Sequence, residues 1–176
     1  MRVGLRGAVR RVWGRRGVPV RQRVQFTYTW RHLFVVINGR AGRVHWAWLP
    51  NLKAATLAAA VGGLGQGQTE VDAVVWDRAP AHRDGRMRPF ARRLGLALIE
   101  QPPSAPELNP AERLIEEIRR AVDGRVYATL DDKIAAVDAF LIELDADPDR
   151  VRRLAGWDWI EQALDSLPAL SPPIAA

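Results

Sequence analysis

Two short apolar runs, VDAVVWD at 71–77 and LALIE at 96–100, constrain the fold more than any other feature of the chain. Each is a near-continuous hydrophobic stretch bounded by turn residues, the pattern of a strand buried on both faces. The polar loop RAPAHRDG and a basic helix ending near Gly95 lie between them. Strand, helix and strand in that order make a crossover unit, so the two strands are expected to run parallel.

The flanking segments fill in the architecture. VQFTYTW, LFVVING and RVHWAWL are rich in β-branched and aromatic residues, with a turn around Asn38 to Gly42, and predict two or three antiparallel strands. Residues 1–18 are Arg-rich and interrupted by Gly4, Gly7, Gly14 and Gly17, so they read as an irregular basic arm around Trp13. Asn51 is placed to cap a short helix, LKAATLAAAV, that ends at Gly62 and Gly63, with GGLGQGQ beyond it as a flexible loop. Downstream, the proline-punctuated loop QPPSAPELNP sets up a helix beginning at Pro110. Ala111, Leu114, Ile115, Ile118 and Val122 give it an amphipathic period. Leu130, Ile134, Val137, Leu141 and Leu144 do the same for a second helix started by Thr129. A short segment with Trp157, Trp159 and Ile160 follows. Residues 1–165 are expected to form one α/β domain and 166–176 a loose tail. Antiparallel strands, a helix, a parallel β-α-β unit and then helices is the order found in the second part of a ribonuclease-H-like fold, a mixed sheet flanked by helices.

Charge divides the chain sharply. Residues 1–69 carry twelve Lys or Arg and no Asp or Glu, while the rest is mildly acidic, so the overall +6 hides a strongly basic first third. That asymmetry points to a polyanion, with nucleic acid the first candidate. The plain alternative is a genome that favours Arg over Lys, since only Lys53 and Lys133 are lysines. The absence of cysteine excludes disulfides, thiolate zinc sites and cysteine nucleophiles. No run approaches the length of a membrane span, and the basic start lacks the apolar stretch of a secretory signal. A soluble intracellular protein is expected.

Two acids stand where chemistry could occur. Asp77 closes VDAVVWD, and the carboxyl end of a buried strand is where open α/β sheets place their ligands. Taken alone it also reads as the first residue of a loop. Glu112 is the third residue of a helix with Asn109 as N-cap and Pro110 first, so taken alone it reads as part of a capping box that favours the helix dipole. Together, a strand-end and a helix-start carboxylate offer hard oxygen ligands for a divalent metal. A pair of such ions can activate one oxygen and stabilise another in phosphodiester cleavage, which needs a third carboxylate as well.

DRAPAH at 77–82, the strand LALIEQPP, and SAPELNPAE at 104–112 resemble the catalytic part of bacterial insertion-sequence transposases of the mariner superfamily. In that family an Asp ends a strand with the pattern D-x-A-x-x-H, and a loop of the type P-x-S-P-x-L-N-P-x-E carries the last acid. Here 34 residues separate Asp77 from Glu112, the family's spacing. The resemblance extends from residue 1 to about 165, including Trp157 to Ile160. It implies a DDE-type catalytic domain with Asp77 and Glu112 as catalytic metal ligands for Mg²⁺ or Mn²⁺, cutting one DNA strand and joining the freed 3′ hydroxyl to target DNA. His82 and Asn109 are auxiliary candidates, His82 for positioning the loop or a phosphate. Asn109 and Ser104 read as cap and loop residues. DNA contacts are expected from Arg6, Arg10, Arg11, Arg15 and Arg16. Trp13, Trp30, Trp46 and Trp48 are candidates for base stacking, with core packing the better reading for at least two of them.

The family's first Asp ends the first strand of the sheet, just ahead of sequence like MRVGLRGAVRRVWGRRG, and here no acid precedes Glu70. The resulting expectation is a truncated or frame-split transposase without that strand or the helix-turn-helix region, inactive alone. Its expected partners are DNA, as transposon ends and target, an upstream fragment supplying the Asp, and a second copy, with no membrane. Its expected location is the bacterial cytosol and nucleoid. A nonenzymatic basic nucleic-acid-binding module and another ribonuclease-H-like nuclease remain open alternatives.

Overall fold

The computed structural model describes residues 1–7, 13–66, 71, 73–77, 79, 82, 85 and 87–166. The chain runs through β1 (Arg2–Gly4), β2 (Trp30–Asn38), β3 (Arg43–Leu49), α1 (Ala54–Gln66), β4 (Ala73–Trp76), α2 (Met87–Arg93) and β5 (Ala97–Glu100). A single 3-10 turn at Pro106–Leu108 follows, then α3 (Pro110–Val122), α4 (Leu130–Asp145), α5 (Pro148–Ala155) and α6 (Asp158–Asp165). Among the described residues the strands form two sheets, an antiparallel β1-β2-β3 and a parallel β4-β5. The parallel pair is registered from Ala73 opposite Ala97 to Trp76 opposite Glu100, as the crossover pattern predicts.

The β2-β3 ladder pairs His32 with Leu49 through to Asn38 with Arg43. Side chains alternate across a strand, so Leu33, Val35, Ile37, Val44, Trp46 and Trp48 share one face. That face packs on Leu114, Ile118 and Val122 of α3, Val137, Leu141 and Leu144 of α4, and Val151 of α5. On the opposite face, Phe34, Ala47 and Leu49 meet a second cluster built from Leu57 and Val61 of α1, Trp76 of β4, Met87 and Ala91 of α2, and Leu96. β3 therefore contributes to both cores, with Val44 in one and Leu49 in the other.

Several expectations are corrected. Arg2–Gly4, expected in an irregular arm, is a strand because it pairs antiparallel with Trp30 to His32. Of VQFTYTW only Trp30 lies in a strand; the preceding residues instead return alongside the arm, with Leu5 N–H donating to Thr29 O and Gly7 N–H to Gln25 O. α1 runs through Gly62 and Gly63 to Gln66, past the expected end. Val61 and Leu64 are buried there, and Gly62 faces Phe90 and Leu94 of the neighbouring segment, so packing outweighs a glycine penalty of about 1 kcal/mol. Asn51 stands three residues ahead of α1 and not directly before it. Its Oδ1 accepts from Lys53 N–H just before the helix and from the Thr56 hydroxyl in the first turn of α1. Val75 is 43% exposed, so β4 is buried on one face only. The loose tail expected beyond Ser166 lies outside the described residues.

The two long helices start as predicted. Thr129 and Asp132 form a complete capping box on α4, with Thr129 N–H donating to Asp132 Oδ2 and Asp132 N–H to Thr129 Oγ1. α4 also carries a buried Lys133, whose Nζ donates to Gly4 O at 2.9 Å and ties the helix to β1. No helix among the described residues is long and apolar enough to cross a membrane.

Candidate active site

Asp77 and Glu112 line one cleft of about 470 Å³, together with Ala79, Gln101, Ser104 and Asn109. Asp77 leaves the carboxyl end of β4, and Glu112 stands in the first turn of α3. Each is placed by its element. Trp76 anchors the strand end in the second core, and Leu114 anchors α3 in the first.

The Asp77 carboxylate is held by its own loop. Its Oδ1 accepts from Ala79 N–H at 2.9 Å and lies 2.6 Å from His82 Nδ1, which is also 3.0 Å from the Asp77 carbonyl. The His82 ring stacks face to face on Trp76, with centroids 4.6 Å apart and planes 3° from parallel. His82 thus fixes the orientation of Asp77, and the second carboxylate oxygen of Asp77 has no hydrogen bond among the described residues.

Glu112 lacks the reciprocal bond that a capping box requires. Asn109 caps α3 through its Oδ1, which accepts from Ala111 N–H, but Asn109 N–H donates to Pro106 O and not to Glu112. The contrast with Asp132 on α4 is direct: the same helix position is used for capping there and is left exposed to the cleft here. The structural part of Glu112 is reduced to the favourable charge of a first-turn carboxylate at the helix start.

Gln101 is a cleft residue that sequence reasoning missed. Its backbone N–H donates to Trp76 O and its side-chain Nε2 to Leu108 O at 3.2 Å, so one buried residue joins the β4 end to the loop that carries Asn109 and Glu112. Nothing in the run EQPP marks it, because its partners are set by tertiary structure. Ser104, on the rim, takes the left-handed backbone conformation at φ 57°. The Met1 amino group donates to Leu33 O at 2.6 Å. Burial lowers its pKa, with the charges of Glu112 and Asp77 pulling the other way and Arg119 adding to the lowering, so the start of β1 lies within electrostatic reach of both acids.

Two carboxylates on one cleft supply the hard oxygen donors that Mg²⁺ or Mn²⁺ takes. No group of three His, Cys, Asp or Glu side chains gathers around a metal position among the described residues. The donor chemistry fits such an ion in part, with two of the carboxylates a full set needs.

Away from the cleft, Arg15 and Arg16 are exposed, and the Arg6 guanidinium sits 5.0 Å above the Tyr28 ring. Arg10 and Arg11 lie outside the described residues. Trp46 and Trp48 are core residues whose indole N–H groups both donate to Asp138 Oδ1, whereas Trp13 is fully exposed and Trp30 is 44% exposed beneath Arg2.

Residues 1–133 match the sequence profile of a family described as DDE superfamily endonuclease. No curated protein matches by sequence. Among solved structures the chain is similar to the Mos1 strand transfer complex, with a TM-score of 0.71 and 15% identity over 94% of this chain and 51% of that one. It is also similar to the Mos1 transposase paired-end complex with left transposon end, at 0.68 and 16% over 92% and 51%. A third is the Mos1 mariner paired end complex with Mn, at 0.66 and 14% over 94% and 52%. The chain spans about half the length of these proteins. At such identity the likeness carries the fold, which is ribonuclease-H-like.

Proposed function

The chain belongs to the DDE superfamily endonucleases, and on that premise we propose that the cleft between Asp77 and Glu112 serves metal-dependent DNA strand cleavage and transfer in transposition. The observation that carries the proposal is the pairing itself: a strand-end Asp and a helix-start Glu, 34 residues apart, line one cleft, and the Glu is spared from capping. Its support from the fold is the similarity to transposase complexes with DNA ends and with Mn.

In this reading Asp77 and Glu112 hold Mg²⁺ or Mn²⁺. The ion, when bound, supplies Lewis-acid activation of an oxygen nucleophile and charge stabilisation at phosphorus. His82 keeps Asp77 aimed at the cleft, Gln101 keeps the β4 end and the α3 loop in register, and Asn109 starts the helix that presents Glu112. The basic segment with Arg6, Arg10, Arg11, Arg15 and Arg16 contacts DNA phosphates. A third carboxylate, contributed by polypeptide outside these 176 residues, completes the site, so the chain alone is inactive. The source element is an insertion sequence of the mariner superfamily.

Mn²⁺ titration followed by electron paramagnetic resonance tests the assignment. Weak binding is expected for the chain, with at least about tenfold loss in Asp77→Asn and in Glu112→Gln. Wild-type affinity in both variants overturns it. Nicking of a supercoiled plasmid by the chain alone would show that the site needs no carboxylate from outside the chain.

A further inference from the structure

A second groove, of about 760 Å³, opens beside the carboxylate cleft and shares Pro106, Asn109 and Glu112 with it. Its floor is aromatic. Trp157 and Trp159 lie with ring centroids 5.8 Å apart at 46°, Trp159 is 42% exposed, and Leu108 is exposed on the facing 3-10 turn. The Arg113 guanidinium covers Trp157 at 4.0 Å and makes no ion pair among the described residues. The platform is anchored from behind: Arg40 Nε donates to Glu161 Oε2 at 2.6 Å and its Nη2 to Glu161 O and to Asp165, holding α6 against the β2-β3 turn.

We propose that this groove holds an unpaired nucleobase of the DNA strand that passes Asp77 and Glu112, stacked on Trp159. The inference rests on the function proposed above, which brings DNA to the adjoining cleft. Three properties select a base as the occupant. The groove is continuous with the cleft, so a nucleotide next to the reacting phosphate reaches it without leaving the surface. Of its rim carboxylates Glu112 is assigned to the metal and Glu116 lies 3.8 Å from the Arg120 guanidinium, which leaves Glu107 against Arg113, a near balance that gives a phosphate no net attraction and suits a neutral ring. Exposed indole faces are general platforms for unstacked bases, and the rim oxygens accept from base amino groups while Arg113 donates to base-edge acceptors.

The test uses the full chain and a DNA duplex whose single-stranded overhang carries 2-aminopurine. Wild type is expected to quench the probe. Trp159→Ala is expected to restore fluorescence and weaken binding at least about fivefold, the lower bound for one lost base stack. Trp159→Phe, which keeps a ring, is expected to retain part of the quenching. An abasic overhang should weaken wild-type binding to the level of Trp159→Ala and leave that variant unchanged. Unchanged affinity and quenching in folded Trp159→Ala overturn the inference while leaving the function reading intact. So does a Trp159→Ala variant that alters self-association but not DNA binding, which would make the groove a contact for the basic segment of a second copy. Absence of DNA binding by wild type overturns the function reading, and this inference with it.

Discussion

Asp138 shows how much a single residue can fix. Its Oδ1 accepts from both Trp46 Nε1 at 2.9 Å and Trp48 Nε1 at 2.8 Å, so one carboxylate on α4 sets the rotamers of two large side chains on β3. Asp138→Ala leaves two half-buried indole donors without that acceptor and is expected to cost about 2 kcal/mol in urea unfolding, with Asp138→Asn milder. On the opposite face of the sheet, His45 has a buried Nε2 without a partner among the described residues. Burial lowers the pKa of His45 from its ordinary 6.5, with Asp145 opposing and Arg43 adding to the shift. The unfolded chain binds this proton more readily than the folded one, so the stability present above pH 6.5 is lost as pH falls through the lowered folded value. Urea midpoints measured between pH 7.5 and pH 5 (about the span of a His titration) should fall more steeply for wild type than for His45→Gln. His32, lowered by burial and by the neighbouring Met1 ammonium and Arg2, contributes in the same direction.

Elements differ in how far local sequence determines them. The β2-β3 turn depends on Gly42, whose φ is +66° and where a Cβ would sit 2.7 Å from the Pro148 carbonyl oxygen. Gly42→Ala combines backbone strain with a collision against the start of α5, and thermal melting should report a loss of about 2 kcal/mol or more. α3 and α4 were legible because caps, proline and apolar period agree: Asn109 with Pro110, Thr129 with Asp132, then buried residues on one stripe. β1 was not, since its three residues become a strand only through Trp30 to His32, far along the chain. The end of α1 was not legible either, because Gly62 is kept helical by its packing beneath Phe90. The same division runs through the candidate site. Asp77 and Glu112 could be named from a strand end and a helix start, but the Trp76 stack on His82 and the Gln101 crosslink depend on segments brought together by the fold. The freedom of Glu112 was also hidden: its position reads as a capping box until Pro106 O is seen to accept the Asn109 N–H.

At the scale of the whole molecule, charge and packing follow different boundaries. The acid-free first 69 residues extend exposed arginines from the sheet, and binding to nonspecific duplex DNA should weaken steeply with salt. Replacing Arg6, Arg15 and Arg16 together with Ala should reduce the slope of log affinity against log salt by up to about 3, at about 0.9 per phosphate contact. An unchanged slope in fluorescence anisotropy would remove those residues from the interface. Packing divides the molecule elsewhere, into two cores that meet at β3, and the two acids do not share one: Asp77 extends from the core of Trp76 and Met87, Glu112 from that of Leu114 and Ile118. Amide exchange commonly resolves such halves as separate cooperative units with their own opening free energies. When the smaller unit opens, Asp77 leaves while Glu112 stays on an intact helix, so the cleft survives only as long as its less stable half. Affinity for metal should therefore vanish at a milder denaturant concentration than the one that melts α3 and α4.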